Sequence, residues 1–516
     1  MDESIKIREL EKGLLDILSD IPSNSFSNLT LAINSSIKKL KEPMQLAIIG
    51  KISSSKSTLV NAILGKEEIM ATGQKEVTYN VGWLKYGKPD SDIIIHHKDE
   101  TPNTVKSQEE FRKWSTESDN DEINNISYIE IFDDAEILKD INIIDTPGLD
   151  ALRGKDSQNT LDFINNVRPD AVIMLFTHSV SENVLDIVSK YNTGGSFNPL
   201  NAIGVLSKID VLWQEDFERT KSALEIGRKM VSGRMKKNSM LRRTLFNLYP
   251  VSALLFLAST TMSVETFDCV KKLSASDGSV LRQALKSVPK FLDSDTPLTE
   301  TERNTLIGQL GLYGVYLLVN LLHDSPDTTL SEAKSFLRSQ SGATDFMKVL
   351  HNHFGTRARL IKLESVYQEI VQEIDKARKQ NTDNFSLRLL TKTNAKLLNL
   401  FSSLVHEHQE YEVLNRIYNE ELVLGGEVKE ELLALWGEKG FSALQRLRMS
   451  AGVSPVELID ESLERERYWR KCIALEPDPE EKEWMNVVLK SYSQLRNTLA
   501  VMNYQYEQAK AFLFNE

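Results

Sequence analysis

The chain has 516 residues, 41% hydrophobic and 26% charged, which is typical of globular proteins and excludes wholesale disorder. Its net charge of −12 argues against sequence-independent binding to nucleic acid, which needs clustered positive charge. The two cysteines, Cys269 and Cys472, lie far apart, so they predict no disulfide framework or metal site and fit a reducing compartment.

The first residues predict two helices, over 5–20 and 29–40, because their apolar side chains recur at helical spacing. The acidic N-terminus lacks the basic start and apolar block of a signal peptide. No run of 18 apolar residues occurs, so no transmembrane helix is expected. We therefore expect a cytoplasmic protein.

Short apolar runs then alternate with helical stretches as far as about residue 252. These runs predict strands at 44–49, 93–95, 126–132, 141–144, 171–176 and 202–206. Beyond residue 252 the predicted strands stop, and from about residue 352 the pattern is almost entirely helical. The predicted fold class is an α/β P-loop domain with a mostly parallel sheet, followed by a long all-α helical stalk.

A phosphate-binding motif follows the first predicted strand. Residues 50–57 have the pattern G-x-x-x-x-G-K-[ST], except that Ser55 replaces the second glycine. In this pattern Lys56 contacts the β- and γ-phosphates, and Ser57 ligates Mg²⁺. The predicted phosphate-binding residues are Gly50, Ser54, Ser55, Lys56, Ser57 and Thr58. Because Ser55 adds a Cβ where the loop approaches the phosphates, we expect it to weaken nucleotide binding.

Two further segments predict contacts to Mg²⁺ and the γ-phosphate. Asp145 follows the strand 141–144 and would hold Mg²⁺ through water. The N–H of Gly148, in the same Asp-Thr-Pro-Gly segment, would face the γ-phosphate. Thr78 lies between Lys56 and Asp145 and is a candidate switch threonine for Mg²⁺ and the γ-phosphate.

The base is predicted to be guanine. Asp210, in Ser207-Lys208-Ile-Asp210, would accept hydrogen bonds from guanine N1–H and the exocyclic amine, while the Lys208 stem would cover the base. Ser252 and Ala253 match the last guanine-contact loop. Since the motifs come in the expected order and follow strands, where open α/β sheets bind ligands, the sequence predicts a site for GTP or GDP with Mg²⁺.

Together, the segments 46–62, 71–78 and 145–148 resemble the dynamin superfamily, and look most like bacterial dynamin-like GTPases. The segments 310–314 and 341–358 are similar to the region that joins the GTPase domain to the stalk in the short, isoniazid-inducible type. The strong resemblance covers roughly residues 44–255, and the helical half is similar in layout only.

The resemblance implies hydrolysis without a catalytic glutamine. Dynamin-like proteins hold a charge-compensating monovalent cation, K⁺ or Na⁺, with a loop serine and a backbone carbonyl, and Ser53 and Gly73 fall at those positions. With Lys56 and Thr78 these are the implied catalytic residues. Two GTPase domains would pair across the nucleotide and order the site. Ile52 stands where many dynamins carry a water-positioning glutamine, so slow intrinsic hydrolysis is expected.

The layout predicts three parts. N-terminal helices over 1–43 would pack with the stalk, 44–330 would form the GTPase domain, and 331–516 would form the helical neck and stalk. Residues 432–455 combine aromatic and basic side chains, among them Trp436, Phe441 and Lys439, which predicts a tip that touches anionic lipid on the inner face of the membrane. Packing of this segment inside the helical bundle is the alternative.

The function expected from all of this is a GTPase that couples nucleotide-dependent pairing of its GTPase domains to membrane remodelling or tethering. Its partners would be further copies of itself, in a GTPase-domain dimer or higher assembly, and membrane lipid. Two alternatives stay open: a weakly active or inactive GTP-binding scaffold that signals nucleotide state to a protein partner, and another large GTPase of the same superclass.

Overall fold

The computed structural model describes residues 3–22, 26–51, 54–67, 81–98, 102–107, 109–111, 125–146, 169–177, 198–214, 221–355, 358–381, 383–404, 406–418, 421–438, 440 and 442–514. The chain forms two compact units. One comprises residues 43–350, and the other combines residues 1–42 with residues 351–516.

The 43–350 unit is built on a sheet whose strands, as far as they are described, run in the order β4-β3-β5-β2-β6-β1-β7-β8-β9. The strands are β1 Met44–Gly50, β2 Val81–Tyr86, β3 Ile93–His97, β4 Thr104–Lys106, β5 Ile126–Asp133, β6 Ile141–Asp145, β7 Ala171–Phe176, β8 Ala202–Ser207 and β9 Leu248–Val251. From β6 to β9 the neighbouring strands are parallel, whereas β2 runs antiparallel to β6. This sheet and the helical remainder confirm the predicted fold class.

The predicted strands are all present, and β2, β4 and β9 are additional. β9 contains Pro250, which cannot donate a ladder hydrogen bond and therefore masks a strand in the sequence. The fold tolerates it because β9 lies at the edge of the sheet. Every residue of β1, β7 and β8 is buried, as expected for parallel strands covered on both faces.

Helices of the same unit cover the sheet and form a second apolar core beside it. Among the described residues they are Lys56–Leu64, Ala223–Lys237, Ser239–Thr244, Ala253–Thr261, Val264–Ser274, Gly278–Ala284, Val288–Leu292, Glu300–Asp324, Leu330–Gln340 and Ala343–Val349, with 3₁₀ turns at Glu136–Lys139 and Ile209–Gln214. A π-helix at Leu350–Gly355 begins at the last residue of this unit and continues into the other one. The predicted boundary at residue 330 places the last two α-helices in the stalk, whereas they lie within the 43–350 unit. The domain boundaries remain a proposal.

The helix Glu300–Asp324 is long and apolar enough to span a membrane by length and composition, and a bent pair over residues 253–274 also passes that test. Half of the apolar window of Glu300–Asp324 is buried within its own unit. Leu306, Leu310, Val315 and Leu318 are fully buried in the second apolar core. Its apolar character therefore fits the core helix of a folded unit.

The second unit is helical throughout its described residues. Its helices are Glu3–Ser19, Ser27–Lys39, Ala358–Gln380, Asn384–Leu404, His406–Tyr418, Gly426–Leu435, Ala443–Arg446, Pro455–Leu475 and Pro479–Phe514. The two N-terminal helices pack on Ala358–Gln380 and Asn384–Leu404 through one apolar cluster. Leu14, Ile33, Val366 and Leu397 are fully buried in this cluster.

Two residues of the predicted membrane-touching tip, 432–455, are buried in the helical unit. Trp436 is 3% exposed, and its indole N–H donates to Ser491 Oγ at 3.0 Å. Leu447 is also buried, and Arg446 Nε donates to the Leu435 carbonyl at 2.7 Å. Trp436 and Leu447 thus pack inside the helical unit, whereas Leu444 and Met449 are partly exposed, and lipid contact by this segment stays a prediction. Lys439 and Phe441 lie outside the described residues.

Candidate nucleotide-binding site

The site begins where β1 ends at Gly50 and the chain turns into the helix Lys56–Leu64. A Cβ at Gly50 would lie 2.8 Å from Ser54 Oγ and 2.9 Å from the Leu175 Cβ of the neighbouring strand β7. Real Cβ atoms do not approach other heavy atoms so closely, so only glycine fits this turn beside the sheet. Gly50 therefore lies in close contact with β7, at the carboxyl ends of both strands.

Lys56 is the first residue of that helix, and it is 8% exposed. Its ammonium group donates to the Gly50 carbonyl at 3.2 Å and to the Lys51 carbonyl at 3.0 Å. The charge is thus inside the loop that would surround the phosphates. Phosphate oxygens, being charged acceptors, would bind this group more strongly than the two carbonyls do.

Asp145, at the end of β6, faces the same loop. Its Oδ2 accepts a hydrogen bond of 2.6 Å from Ser57 Oγ. Burial raises the pKa of Asp145 to about 6, against the lowering effects of the nearby Lys56 charge and of the Ser57 hydrogen bond. Within the described part of the chain, Asp145 Oδ1 and Ser54 Oγ are buried without a hydrogen-bond partner.

These groups fit a magnesium nucleotide. A hydroxyl and a carboxylate in contact are the hard oxygen ligands that Mg²⁺ uses beside substrate phosphates and water. Buried polar atoms normally have partners, so the unpaired oxygen of Asp145 and the Ser54 hydroxyl suit a ligand that supplies them. Ser57 and Asp145 would hold Mg²⁺, which neutralises phosphate charge when bound.

The residues predicted to bind the base lie at or just after the ends of the strands β8 and β9. Ser252 Oγ donates to Asp210 Oδ1 at 2.7 Å, and Ala253 begins the helix after β9. Ser207 Oγ donates to the Phe176 carbonyl at 3.1 Å, which ties the end of β8 to β7. Lys208 adopts the left-handed conformation with φ of 56° and so turns the chain towards Asp210.

Those predicted site residues that the structure describes therefore lie at or just after the carboxyl ends of β1, β6, β8 and β9. These four strands run parallel in one sheet. Thr58 lies on the helix after the loop. Four other predicted residues, Ser53, Gly73, Thr78 and Gly148, lie outside the described residues, and their roles stay predictions. The individual residue assignments in the site remain proposals.

Thr146 is a site residue to which the sequence assigned no role. It is buried, and its hydroxyl donates to the Ile48 carbonyl of β1 at 2.8 Å. This bond joins the segment after β6 to the strand that carries the phosphate loop. In the sequence, only the position of Thr146 next to Asp145 pointed to a role in the site. Its hydrogen-bond partner, Ile48, lies 98 residues away and could not be predicted from local pattern.

Ser55 precedes Lys56 in the left-handed conformation, with φ of 67° and ψ of 33°. This region is costly for residues with a Cβ, about 1–2 kcal/mol, and is readily adopted by glycine. Serine in place of the motif's glycine therefore strains the backbone, and it also places a Cβ where the loop would approach the phosphates.

We expect Ser55→Gly to tighten GDP binding by several-fold, a gain of about 1 kcal/mol, because it relieves this strain and removes the Cβ. Calorimetric titration of both proteins with GDP and Mg²⁺ measures the change. Arg448→Gly is the control, since Arg448 has a similar φ of 58° but lies in the other unit. It should leave GDP affinity unchanged. Weaker GDP binding by Ser55→Gly would mean that the serine hydroxyl is itself a phosphate ligand.

Comparison with known proteins finds a family model and several relatives that match the part of the chain that carries the site. A model of the Dynamin family matches residues 46–209, which span the phosphate loop, Asp145 and Ser207. The isoniazid-induced protein IniC of Mycobacterium tuberculosis is 28% identical over 296 residues, covering 55% of this chain and 57% of that protein. Dynamin-like protein 2 of Campylobacter jejuni is 27% identical over 219 residues, covering 42% of this chain and 34% of that one. The chain thus matches about half or less of the length of these curated relatives.

Among solved structures, the chain is similar to one described as an oligomerised bacterial dynamin pair that provides a mechanism for long-range sensing and tethering of membranes. The two share 15% identity, the alignment covers 99% of this chain and 93% of that one, and the TM-score is 0.35.

Proposed function

Because the chain belongs to the dynamin superfamily and is of the bacterial type, we propose that it binds GTP with Mg²⁺ and hydrolyses it to GDP and phosphate. The observation that carries the proposal is the pairing of Ser57 with Asp145 and of Ser252 with Asp210 at the carboxyl ends of the parallel strands. The first pair suits Mg²⁺ and phosphate, and the second suits guanine. Both pairs join residues far apart in sequence, and both are built from the expected motifs.

The proposed roles follow from the contacts. Lys56 would exchange its two carbonyl acceptors for oxygens of the β- and γ-phosphates. Ser252 holds one carboxylate oxygen of Asp210, which fixes the side chain while the carboxylate retains acceptor capacity for the guanine N–H groups. We further propose that Ser53 and Gly73 hold K⁺ or Na⁺, that Thr78 contacts Mg²⁺, and that the Gly148 N–H contacts the γ-phosphate.

We also propose that nucleotide-dependent pairing of two 43–350 units is coupled to tethering or remodelling of a membrane, with the protein cytoplasmic or peripheral on the inner face. This part rests on superfamily membership and not on a lipid-binding surface. Trp436 and Leu447 are buried, so lipid contact by the segment 432–455 would depend on its other side chains.

A weakly active GTP-binding scaffold is the second candidate, and one observation favours it. Ser55 is strained at the point where the loop meets the phosphates, so binding energy available for hydrolysis is reduced. GTP turnover with and without anionic liposomes separates the two functions. Acceleration by liposomes supports the membrane function, whereas negligible turnover in both conditions, with GTP still bound, supports the scaffold.

Guanine specificity is tested by Asp210→Asn. We expect the variant to prefer XTP over GTP, because an asparagine amide can donate to the xanthine carbonyl that replaces the guanine amine. The measurement is competition of GTP, XTP and ATP for each protein. Wild type should prefer GTP, and binding of XTP by the variant shows that the variant is folded. If wild type binds ATP as well as GTP, the assignment of Asp210 to the base is wrong.

A further inference from the structure

The helix Pro479–Phe514, called here the C-terminal helix, is longer than the helix it packs against. It has 36 residues, whereas Pro455–Leu475 has 21 and is joined to it by the short link 476–478. So short a link makes the two helices antiparallel neighbours. The shorter helix can therefore cover about 21 residues, and about 15 remain beyond it, a length of about 22 Å.

A heptad seam runs along the C-terminal helix from Met485 to Ala509. Apolar residues recur at alternating steps of three and four, the pattern of helices that pair along a narrow stripe. The seam positions are Met485, Val488, Tyr492, Leu495, Leu499, Met502, Tyr506 and Ala509. The same period thus continues from the covered half of the helix into the half that extends past its neighbour.

The two halves of the seam differ sharply in exposure. Val488 and Tyr492 are 0% and 1% exposed in the covered half, whereas Met502 and Tyr506 are each 61% exposed in the extending half. Burying such side chains is the main source of stability of a helix pair. A seam that is open from Met502 to Ala509 is suited to a second helix.

The charges of the extending half favour a second copy of the same helix. Between Asn497 and Ala511 the charged residues are Glu507 and Lys510, one of each sign, in a chain that is 26% charged. Like-charge repulsion at the positions beside the seam, which normally prevents self-pairing, is therefore absent from this stretch of sequence. A helix that lies on anionic lipid instead needs several cations on its polar face.

We propose that the extending half of the C-terminal helix pairs with the same segment of a second copy of this chain, with Leu499, Met502, Tyr506 and Ala509 at the centre of a two-helix coiled coil. The proposal goes beyond nucleotide binding and does not depend on it. Because isolated helices of about two heptads are only marginally stable, the pair is reversible and concentration-dependent.

The test is sedimentation of the full chain without nucleotide, so that pairing of GTPase domains does not contribute. Over a hundredfold range of concentration, up to about 100 μM, wild type should shift from monomer to dimer. Met502→Lys combined with Tyr506→Lys places charges in the seam and should raise the dimer dissociation constant at least about tenfold.

The matched control is Val501→Lys combined with Tyr504→Lys. These residues are 56% and 65% exposed, and they lie outside the seam on the same stretch of helix. The control removes equally exposed apolar side chains and adds the same charge, so the dissociation constant should stay within about twofold of wild type. Circular dichroism verifies that both variants keep their helix content.

Three results would overturn the proposal. The wild type could stay monomeric throughout the concentration range, or the seam variant could dimerise as well as the control. The third is binding of the monomer to vesicles containing anionic lipid, lost in the seam variant only, which would assign the open seam to a membrane surface.

Discussion

Replacing Lys56 by alanine is expected to weaken GTP binding by at least about tenfold, which corresponds to some 1.4 kcal/mol. The ammonium group lies inside the loop, 3.2 Å from the Gly50 carbonyl and 3.0 Å from the Lys51 carbonyl. Its replacement removes the proposed charge-assisted hydrogen bond to phosphate. Calorimetric titration with GTP and Mg²⁺, together with the steady-state rate of phosphate release, measures the loss.

Lys88→Ala is the matched control, because it removes the same charge from an exposed site in the same unit. Lys88 follows β2, which is antiparallel to β6, so it lies at the opposite edge of the sheet from Asp145. Its replacement should leave GTP affinity unchanged. If Lys56→Ala also left both affinity and rate unchanged, the phosphate loop would be vestigial and the proposed GTPase activity would fail.

Asp145→Asn is expected to raise the stability of the nucleotide-free protein at neutral pH and to abolish Mg²⁺-dependent nucleotide binding. Burial raises the pKa of Asp145 from 3.8 to about 6, so the folded protein pays to keep this carboxylate ionised at pH 7. A shift of this size corresponds to about 3 kcal/mol. Asparagine carries no charge, and its carbonyl oxygen can still accept the hydrogen bond from Ser57.

The raised pKa of Asp145 also predicts how the stability of wild type changes with pH. Between about pH 4 and pH 6 the folded state takes up a proton that the unfolded state lacks, so wild-type stability falls as pH rises through this window. Asp145→Asn should therefore exceed wild type in unfolding free energy at pH 7, and the difference should nearly vanish at about pH 4. Urea unfolding of both proteins without nucleotide at the two pH values measures it.

Asp140→Asn is the control for that experiment. Asp140 precedes the same strand, is exposed, and lies at the other edge of the sheet, so its replacement should not alter the pH profile. A variant Asp145→Asn that is less stable than wild type at pH 7, or one that still binds nucleotide in a Mg²⁺-dependent manner, would contradict the role given to this carboxylate.

A gain in stability with a loss of binding would also explain why the site is built this way. An ionised carboxylate with one unpaired oxygen is costly in a buried place, and a bound cation offsets that cost. The nucleotide-free protein thus retains an unfavourable group whose charge becomes useful when Mg²⁺ and phosphate bind.

Local pattern by itself determined much of the nucleotide unit. The apolar runs at 44–49, 141–144, 171–176 and 202–206 became buried strands, since a short apolar run closed by a turn residue has few other stable places in a folded chain. Of the motif residues, Asp145 directly follows one of these runs, and Lys56 and Asp210 follow two others after a short loop. The carboxyl ends of parallel strands lie side by side, so the order of the motifs along the chain was enough to predict that these residues lie close together.

Tertiary contacts decided what the local pattern left ambiguous. An aromatic and basic segment such as 432–455 suits either a membrane surface or a bundle interior. Trp436 is buried because Ser491, 55 residues further along, supplies the partner for its indole N–H. Nothing near Trp436 in the sequence reveals that contact, because the two residues meet only when separate helices pack.

The C-terminal helix is a second case in which the sequence predicts the local structure and the tertiary contacts decide what covers it. Its seam is periodic from Met485 to Ala509, and the sequence determined a long amphipathic helix there. The apolar periodicity predicts that one face of the helix is covered, but it does not identify the element that covers it. Only the folded unit, in which the helix Pro455–Leu475 ends well before its neighbour does, separates the half of the seam that is buried at Tyr492 from the half that stays open at Tyr506.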